Sequence, residues 1–334
     1  MDSSPLIAIT GQVVSNLIGN DAFQEVDIMG ITMPITKHSY QPKDANDIPS
    51  IINTSFEIAS TGRCGPVLID VPKEVQEQEL DDYVLGTIPT PGYKPTVKGN
   101  SKQIAKAAKM LLEADKPFIL AGGGTILAGA SEEVKKLAEL INAPIATTLM
   151  GKGIVDEKDD LAMGMLGMHG KQVANQNINK TDCLLAIGCR FSDRTTGKLE
   201  EFIPNAKVIH IDIDPAEIGK NVAVDLPIVG DAKIVLNQLI KELEAKPSDK
   251  NAWLKSIVEF KKSTIPRVSY DDIPLKPQQV IKEIANSITE DTIVTTDVGL
   301  HQMWAAHFLD ISIASSPYLS PKISIASRVY EHER

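Results

Sequence analysis

Short runs of consecutive apolar residues alternate along this chain with longer stretches in which apolar positions recur every three or four residues. The first pattern belongs to strands buried on both faces, the second to helices that bury one stripe. Leu6-Ile7-Ala8-Ile9-Thr10 and Pro66-Val67-Leu68-Ile69-Asp70-Val71 read as buried strands. Between them, Asp47 is placed to cap a helix through Ala59, with Ile48, Ile51, Ile52 and Phe56 on one face. Gly, Pro and Thr then dominate from Leu85 to Asn100, which reads as a linker. Ser101 opens a helix with Ile104, Ala107, Ala108, Leu111 and Leu112 on its stripe. Strands expected over 118–121, 144–147, 183–187 and 208–213 alternate with helices expected over 131–141, 171–179 and 231–244. Residues 246–276 are polar, with room for one helix; 277–287 is helical, and 292–296 opens a further strand. After Phe308, Ile311-Ser312-Ile313-Ala314-Ser315 recurs as Ile323-Ser324-Ile325-Ala326-Ser327, a low-complexity pattern expected to carry no packed structure.

The expected fold class is therefore α/β: three-layer parallel sheets with helices on both faces, a Rossmann-like central domain and incomplete outer domains. The expected divisions are 1–85, a linker over 86–100, the central domain over 101–245, a connector over 246–276, a further beginning over 277–310 and a divergent tail over 311–334.

Composition narrows the function. The 334 residues suffice for two or three domains, and the 43% apolar and 4% aromatic content makes the cores aliphatic. A net charge of −10 without a basic block argues against nucleic acid and against an anionic membrane surface as partners. No run approaches the ~18 apolar residues of a membrane span, and Met1–Pro5 has neither the charge nor the apolar stretch of a secretion signal, so a cytoplasmic location is expected. Cys64, Cys183 and Cys189 have no metal-ligand spacing and read as buried thiols in a reducing compartment.

Three segments at expected strand ends carry candidate chemistry. Gly122-Gly123-Gly124 stands between a strand and a helix, where glycines let backbone amides approach a phosphate. Leu127 occupies the place of the third glycine of G-x-G-x-x-G, so a plain strand-to-helix turn is an equal reading. Asp212 and Asp214 are placed to accept ribose hydroxyls, or to cap a helix beside Pro215. Arg190 and Arg194 suit a diphosphate, or form a solvated loop with Asp193. His169 has no second ligand at metal spacing, which leaves a hydrogen bond to a cofactor or to backbone. Three such loops at the carboxyl edge of one sheet point to a dinucleotide.

The chain resembles the large subunits of acetolactate synthase, in the thiamine diphosphate enzyme family. The resemblance is carried, from about Met1 to Phe308, by Ala8–Val13, Asp21–Glu25, Ile35–His38, Gly62–Val67, Asp70–Lys73, Leu166–Gly170, Arg190–Lys198 and Asp297–Met303. It implies that the first part belongs to a pyrimidine-binding domain, the central one binds FAD, and 277–310 begins a diphosphate-binding domain. It also implies FAD contacts at Arg63, Gly123, Thr148, Leu149, Leu166, Gly167, Met168, His169, Gly188, Cys189, Arg190, Phe191, Ser192, Asp212, Ile213, Asp231 and Ala232. Phe23, Gln24, Lys73, Met168 and Arg194 resemble substrate-channel residues, Gln24 and Lys73 being those nearest the chemistry. Val298, Gly299, Leu300 and His301 fall where the family holds thiamine diphosphate.

The implied reaction decarboxylates pyruvate and joins the fragment to a second 2-ketoacid, such as 2-ketobutyrate, in branched-chain amino acid synthesis. Thiamine diphosphate, Mg2+ and FAD are the implied cofactors, and a homodimer or larger assembly with a regulatory small subunit is the implied partnership. Departures accompany the match. Leu300 stands where Gln is usual and Ser192 where Asp is usual. The family's activating Glu and its magnesium-holding stretch find no counterpart, so no metal site is expected within the chain, which reads as truncated at both ends and inactive alone. A sibling such as a pyruvate oxidase or glyoxylate carboligase, and a non-catalytic FAD-binding remnant, stay open. Met168, Arg194 and Lys73 together favour the synthase over the siblings.

Overall fold

The computed structural model describes residues 3–80, 85–86, 88–245, 247–264, 273–289, 292, 294–309 and 323–325. The chain divides into two units, 1–95 and 96–334. The first is built on parallel strands β1 (Leu6–Gln12), β2 (His38–Tyr40) and β3 (Pro66–Pro72), in the order β1-β3-β2. With a neighbour on each side, β3 is buried from Val67 onward, whereas edge strand β1 leaves Leu6 and Ile9 exposed. Around the sheet lie α1 (Ile28–Thr32), α2 (Ile48–Ser60) and α3 (Lys73–Gln76).

Helix α2 buries Ile51, Thr54, Ser55, Ile58 and Ala59, the i, i+3, i+4, i+7 stripe. Phe56 falls off that stripe and is exposed, which corrects the expected face. Asp47 precedes the helix without capping it through its side chain. Lys37 closes the other end: its ammonium donates to the carbonyls of Ile58 and Thr61 and to the Tyr93 hydroxyl. The fully buried Asp70 accepts from Thr10 at 2.8 Å, Gln41 at 3.0 Å and Gln12 at 3.2 Å, as a carboxylate out of water requires.

The second unit begins with α4 (Ser101–Glu113), capped by the Asn100 side chain, whose Oδ1 accepts from the amides of Lys102 and Gln103. Its sheet has six parallel strands: β4 (Pro117–Ala121), β5 (Ile145–Thr147), β6 (Ala162–Met165), β7 (Cys183–Ile187), β8 (Lys207–Asp212) and β9 (Leu226–Val229). They run in the order β6-β5-β4-β7-β8-β9. The chain thus starts in the middle, winds outward one way, then returns and winds outward the other way. That is the doubly wound dinucleotide order, with its reversal between β4 and β7. The connecting helices are α5 (Gly123–Leu127), α6 (Ser131–Ile141), α7 (Gln172–Ile178), α8 (Asp193–Thr196) and α9 (Ala232–Glu244).

Side chains alternate across this sheet. Ile119, Ala121, Leu185 and Ile187 face a core closed by α4, α6 and α9. Phe118, Leu120, Leu184 and Ala186 face a second core, closed by α7 and by α10 (Ala252–Ser263) through Ile257. The helix expected in the polar connector is therefore packed on the sheet. Both faces being covered, β4 and β7 are buried at every residue.

Gly164, at φ +77°, makes room for a lysine: a Cβ there would lie 2.4 Å from Cδ of Lys171. Lys171 pairs with Glu157 at 2.8 Å, and Lys152 bonds the other carboxylate oxygen. Burial alone would raise the Glu157 pKa, but the two ammonium groups outweigh it and hold the carboxyl below its ordinary range.

Beyond these lie α11 (Pro277–Ser287), β10 (Val294–Thr296), α12 (Leu300–Phe308) and β11 (Ile323–Ile325). The pairing of β10 with β11, in parallel, places a strand where the repeat pattern leads one to expect none. The rest of the expected tail over 311–334 lies outside the described residues.

Candidate functional site

In the second unit, six loops leave the carboxyl ends of the six strands, and each is tied to its neighbour by continuing the sheet's ladder one step. The Gly122 amide donates to the Ile187 carbonyl at 2.8 Å, Thr148 to Ala121 at 3.0 Å and Leu166 to Thr147 at 2.8 Å. Gly188 donates to Ile211 at 2.9 Å, and Gly230 to Asp212 at 3.0 Å. These bonds bring Gly123, Thr148, Leu149, Leu166, Gly167, Gly188, Cys189, Arg190, Phe191, Ser192, Asp212, Ile213, Asp231 and Ala232 to one edge.

The reversal between β4 and β7 is the tightest point. The Gly124 amide donates to the Gly188 carbonyl at 3.0 Å. A Cβ on Gly122 would lie 2.2 Å from that oxygen, and one on Gly124 would lie 2.7 Å from the Gly188 Cα. The glycine run therefore serves loop-to-loop packing. Of its amides, those of Gly122 and Gly124 are consumed within the protein, and the Gly123 amide opens α5.

The loop after β7 is held by its carbonyls. Ile187 accepts from Gly122, Gly188 from Gly124, Cys189 from His210 Nε2 at 2.9 Å, and Arg190 and Phe191 both from Asn221 Nδ2 at 3.0 and 3.1 Å. In a trans peptide the N–H points opposite to the C=O. The amides of residues 189–192 are thus turned away from these donors, and that of Phe191 bonds the Cys189 thiol. Gly188 at φ +55° and Phe191 at φ +50° make the reversal of direction.

Not every side chain named from the sequence faces outward. The Phe191 ring packs edge-on against Phe202 and His210, at 6.0 and 5.1 Å between centroids, inside the second core. Cys189 is buried, and desolvation, helped by Asp212, drives its thiol far above the ordinary range. Desolvation likewise pushes Cys183 up to about 12. All three cysteines are free, and neither buried thiol is a nucleophile. The Asp231 carboxylate caps α9 by accepting from Ile234 N at 3.0 Å. Asp212 accepts from the Asp214 amide at 2.9 Å. His210 lies 3.9 Å from the Asp212 carboxylate, but burial keeps the imidazole neutral by lowering its pKa, so this is no ion pair.

The loop after β6 meets the start of α8. The Met168 amide donates to the Arg194 carbonyl at 2.9 Å, and the Arg194 guanidinium lies 4.0 Å from the Met168 sulfur, both side chains being exposed. Gly167, at φ +116°, is gripped by Asn175, which accepts from its amide and donates to its carbonyl. The His169 side chain is exposed, and its carbonyl accepts from His307 of α12 at 2.5 Å. At the other end of α12, Val298 and Leu300 are exposed and Gly299 precedes the helix beside the His301 ring.

Arg63, Phe23, Gln24 and Lys73 belong to the first unit. Arg63 donates from Nε to Ser3 Oγ at 3.1 Å. Phe23 is 88% exposed, beside Gln24 at φ +62°, and Lys73 pairs at the surface with Glu77. Sequence reasoning overlooked Asn175, Asn221 and His210, whose work is to hold main chain; only His210 stands inside an apolar run, and none shows which main-chain group it holds. Among the described residues, no three His, Cys, Asp or Glu side chains gather as a metal site, and no helix is long and apolar enough to cross a membrane.

Residues 104–239 match the family described as thiamine pyrophosphate enzyme, central domain. Over 325 residues the chain is 54% identical to a probable acetolactate synthase large subunit of Methanocaldococcus jannaschii, covering 94% of this chain and 55% of that protein. Acetolactate synthase large subunits of Cyanidium caldarium and Corynebacterium glutamicum are each 48% identical, over 93% of this chain and 54% and 50% of theirs. The chain spans about half the length of the curated relatives it matches.

Proposed function

We propose that this chain, a homologue of acetolactate synthase large subunits that carries the central domain of thiamine pyrophosphate enzymes, holds FAD at the carboxyl edge of its six-stranded sheet. In this reading it contributes that site and part of a 2-ketoacid channel to an acetolactate synthase. The observation that carries the reading is the loop after β7 at the strand-order reversal: its carbonyls are all bonded within the protein, which turns the amides of Cys189, Arg190 and Ser192 away from those donors. Such amides accept a diphosphate without a cation of their own. Gly123 and the Thr148–Leu149 turn flank them, and the Asp212 carboxylate stands where a ribose hydroxyl is accepted. Arg190 adds the one formal positive charge in that loop. Gly167, His169, Ser192, Ile213, Asp231 and Ala232 complete the flavin contacts proposed on the second unit.

Arg194, exposed beside Met168, suits the carboxylate of pyruvate or of a second 2-ketoacid such as 2-ketobutyrate; the Met168 thioether suits its alkyl end. Thiamine diphosphate, when bound, supplies the electron sink for decarboxylation and carbon–carbon bond formation. The described residues do not fit its magnesium diphosphate. They gather no metal-binding cluster, and the start of α12 offers exposed Val298 and Leu300 where polar contacts would be needed. No step of that chemistry is assigned to this chain's residues, and the chain by itself is expected not to turn over pyruvate. A small-subunit partner is inferred from the relatives' large-subunit name, and a homodimer or larger assembly is proposed beside it.

Two measurements on the purified chain test this. Titration with FAD should give a saturable, red-shifted flavin absorbance with a Kd below about 100 μM; no binding at that concentration sinks the flavin site. Incubation with pyruvate, thiamine diphosphate, Mg2+ and FAD should yield no acetolactate, and sustained turnover would overturn the assignment of the missing chemistry to other residues.

A further inference from the structure

His210 sits in the middle of β8, between Ala186 of β7 and Pro227 of β9 in register, and is fully buried. Its surroundings are apolar: the Phe191 ring meets it edge-on at 5.1 Å, and Phe202, Val208 and Ala186 line the same core. An apolar side chain would satisfy that packing with no polar atom taken out of water. The imidazole does not. Nε2 faces the Cys189 carbonyl at 2.9 Å, so it carries the proton, and Nδ1 is a buried acceptor with no partner among the described residues. Leaving such a nitrogen unbonded costs about 1–3 kcal/mol. The Asp212 carboxylate, 3.9 Å from Nε2, and Glu217 are the charged groups nearby, and neither bonds Nδ1.

What the imidazole adds is one donor, aimed at the middle carbonyl of the loop 188–192. The flanking carbonyls are held by main-chain amides of the Gly122–Gly124 turn on one side and by the exposed side chain of Asn221 on the other. The Cys189 peptide is the link between those clamps. Were its carbonyl free to turn, the Arg190 amide would turn with it.

We propose that His210 is a positioning residue for anion recognition: by holding the Cys189 carbonyl from inside the core, it fixes the peptide between Cys189 and Arg190, whose opposite side is presented to the diphosphate of a dinucleotide. The ligand class rests on the flavin reading above; the positioning role does not.

The test compares two unbranched side chains of similar length, His210→Gln and His210→Met. Glutamine keeps an N–H donor at the position of Nε2, and methionine removes it. Amide hydrogen exchange at Gly124 and Phe191, whose amides are bonded to the Gly188 carbonyl and the Cys189 thiol of this loop, is read first in the flavin-free chain. His210→Met should exchange about 5- to 10-fold faster there than wild type, the loss expected for one net hydrogen bond, with His210→Gln within about twofold. FAD affinity is read second, and should weaken about tenfold in His210→Met and recover in His210→Gln. Equal exchange in all three proteins, or equal disturbance by both substitutions, overturns the positioning role. A wild type that binds no FAD removes the dinucleotide while the exchange data still decide the role of His210. Should His210→Met not fold, His210→Asn, whose donor stops one bond short, takes its place with the same expectation.

Discussion

The two units start from similar strands and treat them differently. Leu6-Ile7-Ala8-Ile9 of β1 is as apolar as Phe118-Ile119-Leu120-Ala121 of β4. Yet β4 is buried throughout, and Leu6 and Ile9 of β1 are 58% and 64% exposed. In the second unit, helices cover both faces and strands flank β4 on both sides. In the first, β1 is an edge strand, and Ile31, Met33 and Ile35 near α1 are also exposed. Hydrophobicity states how much a strand gains from being covered; the neighbours decide whether it is.

Substitutions sharpen this contrast, beginning with the largest expected effect. Glu157→Ala leaves the buried Lys152 and the half-buried Lys171 without their shared carboxylate, and should destabilise the chain by about 3–5 kcal/mol in a urea melt. The same group gives a pH signature. Its folded pKa lies below its unfolded one, so its stabilisation is present above the ordinary glutamate value and is lost as pH falls through the lowered one. The wild-type midpoint should drop over that acid window by more than that of Glu157→Gln. Leu137→Ala, in the core under α6, should cost about 2–5 kcal/mol by the same melt. Ile9→Thr, on β1, should change stability by no more than about 0.5 kcal/mol and raise the soluble, monodisperse fraction by size-exclusion chromatography. If Ile9→Thr were as costly as Leu137→Ala, the contrast between the units would not hold.

The same contrast explains which strands could be read from the sequence. β1, β3, β4, β5, β7 and β8 each contain an uninterrupted apolar run and were legible within a residue or two. The four strands left unread, β2, β6, β9 and β11, are all sheet edges. They are short, and two carry a residue that weakens strand propensity: Gly164 in β6 and Pro227 in β9. Helices α6 and α9 stood out through their regular stripes, whereas Phe56 was misread because apolar character alone does not fix its angle around α2. At the candidate site, the loops after β4, β7 and β8 were legible as strand ends, and the remaining positions came with the family resemblance. The bonds that shape those loops were not. They come from Asn175, Asn221 and His210, residues distant in sequence from the carbonyls and amides they hold, and a long-range donor has no local pattern.

The backbone contact between Gly122–Gly124 and Gly188 has a consequence for binding. Two loops that meet with no room for a methyl group, and exchange a hydrogen bond besides, have already given up the freedom that a ligand would otherwise have to freeze out. A molecule settling across the strand reversal meets a floor set before it arrives, so its affinity reflects its own contacts and its own ordering. Alanine at position 122 or 188 would part the two loops, and the loss would register in the unliganded protein first.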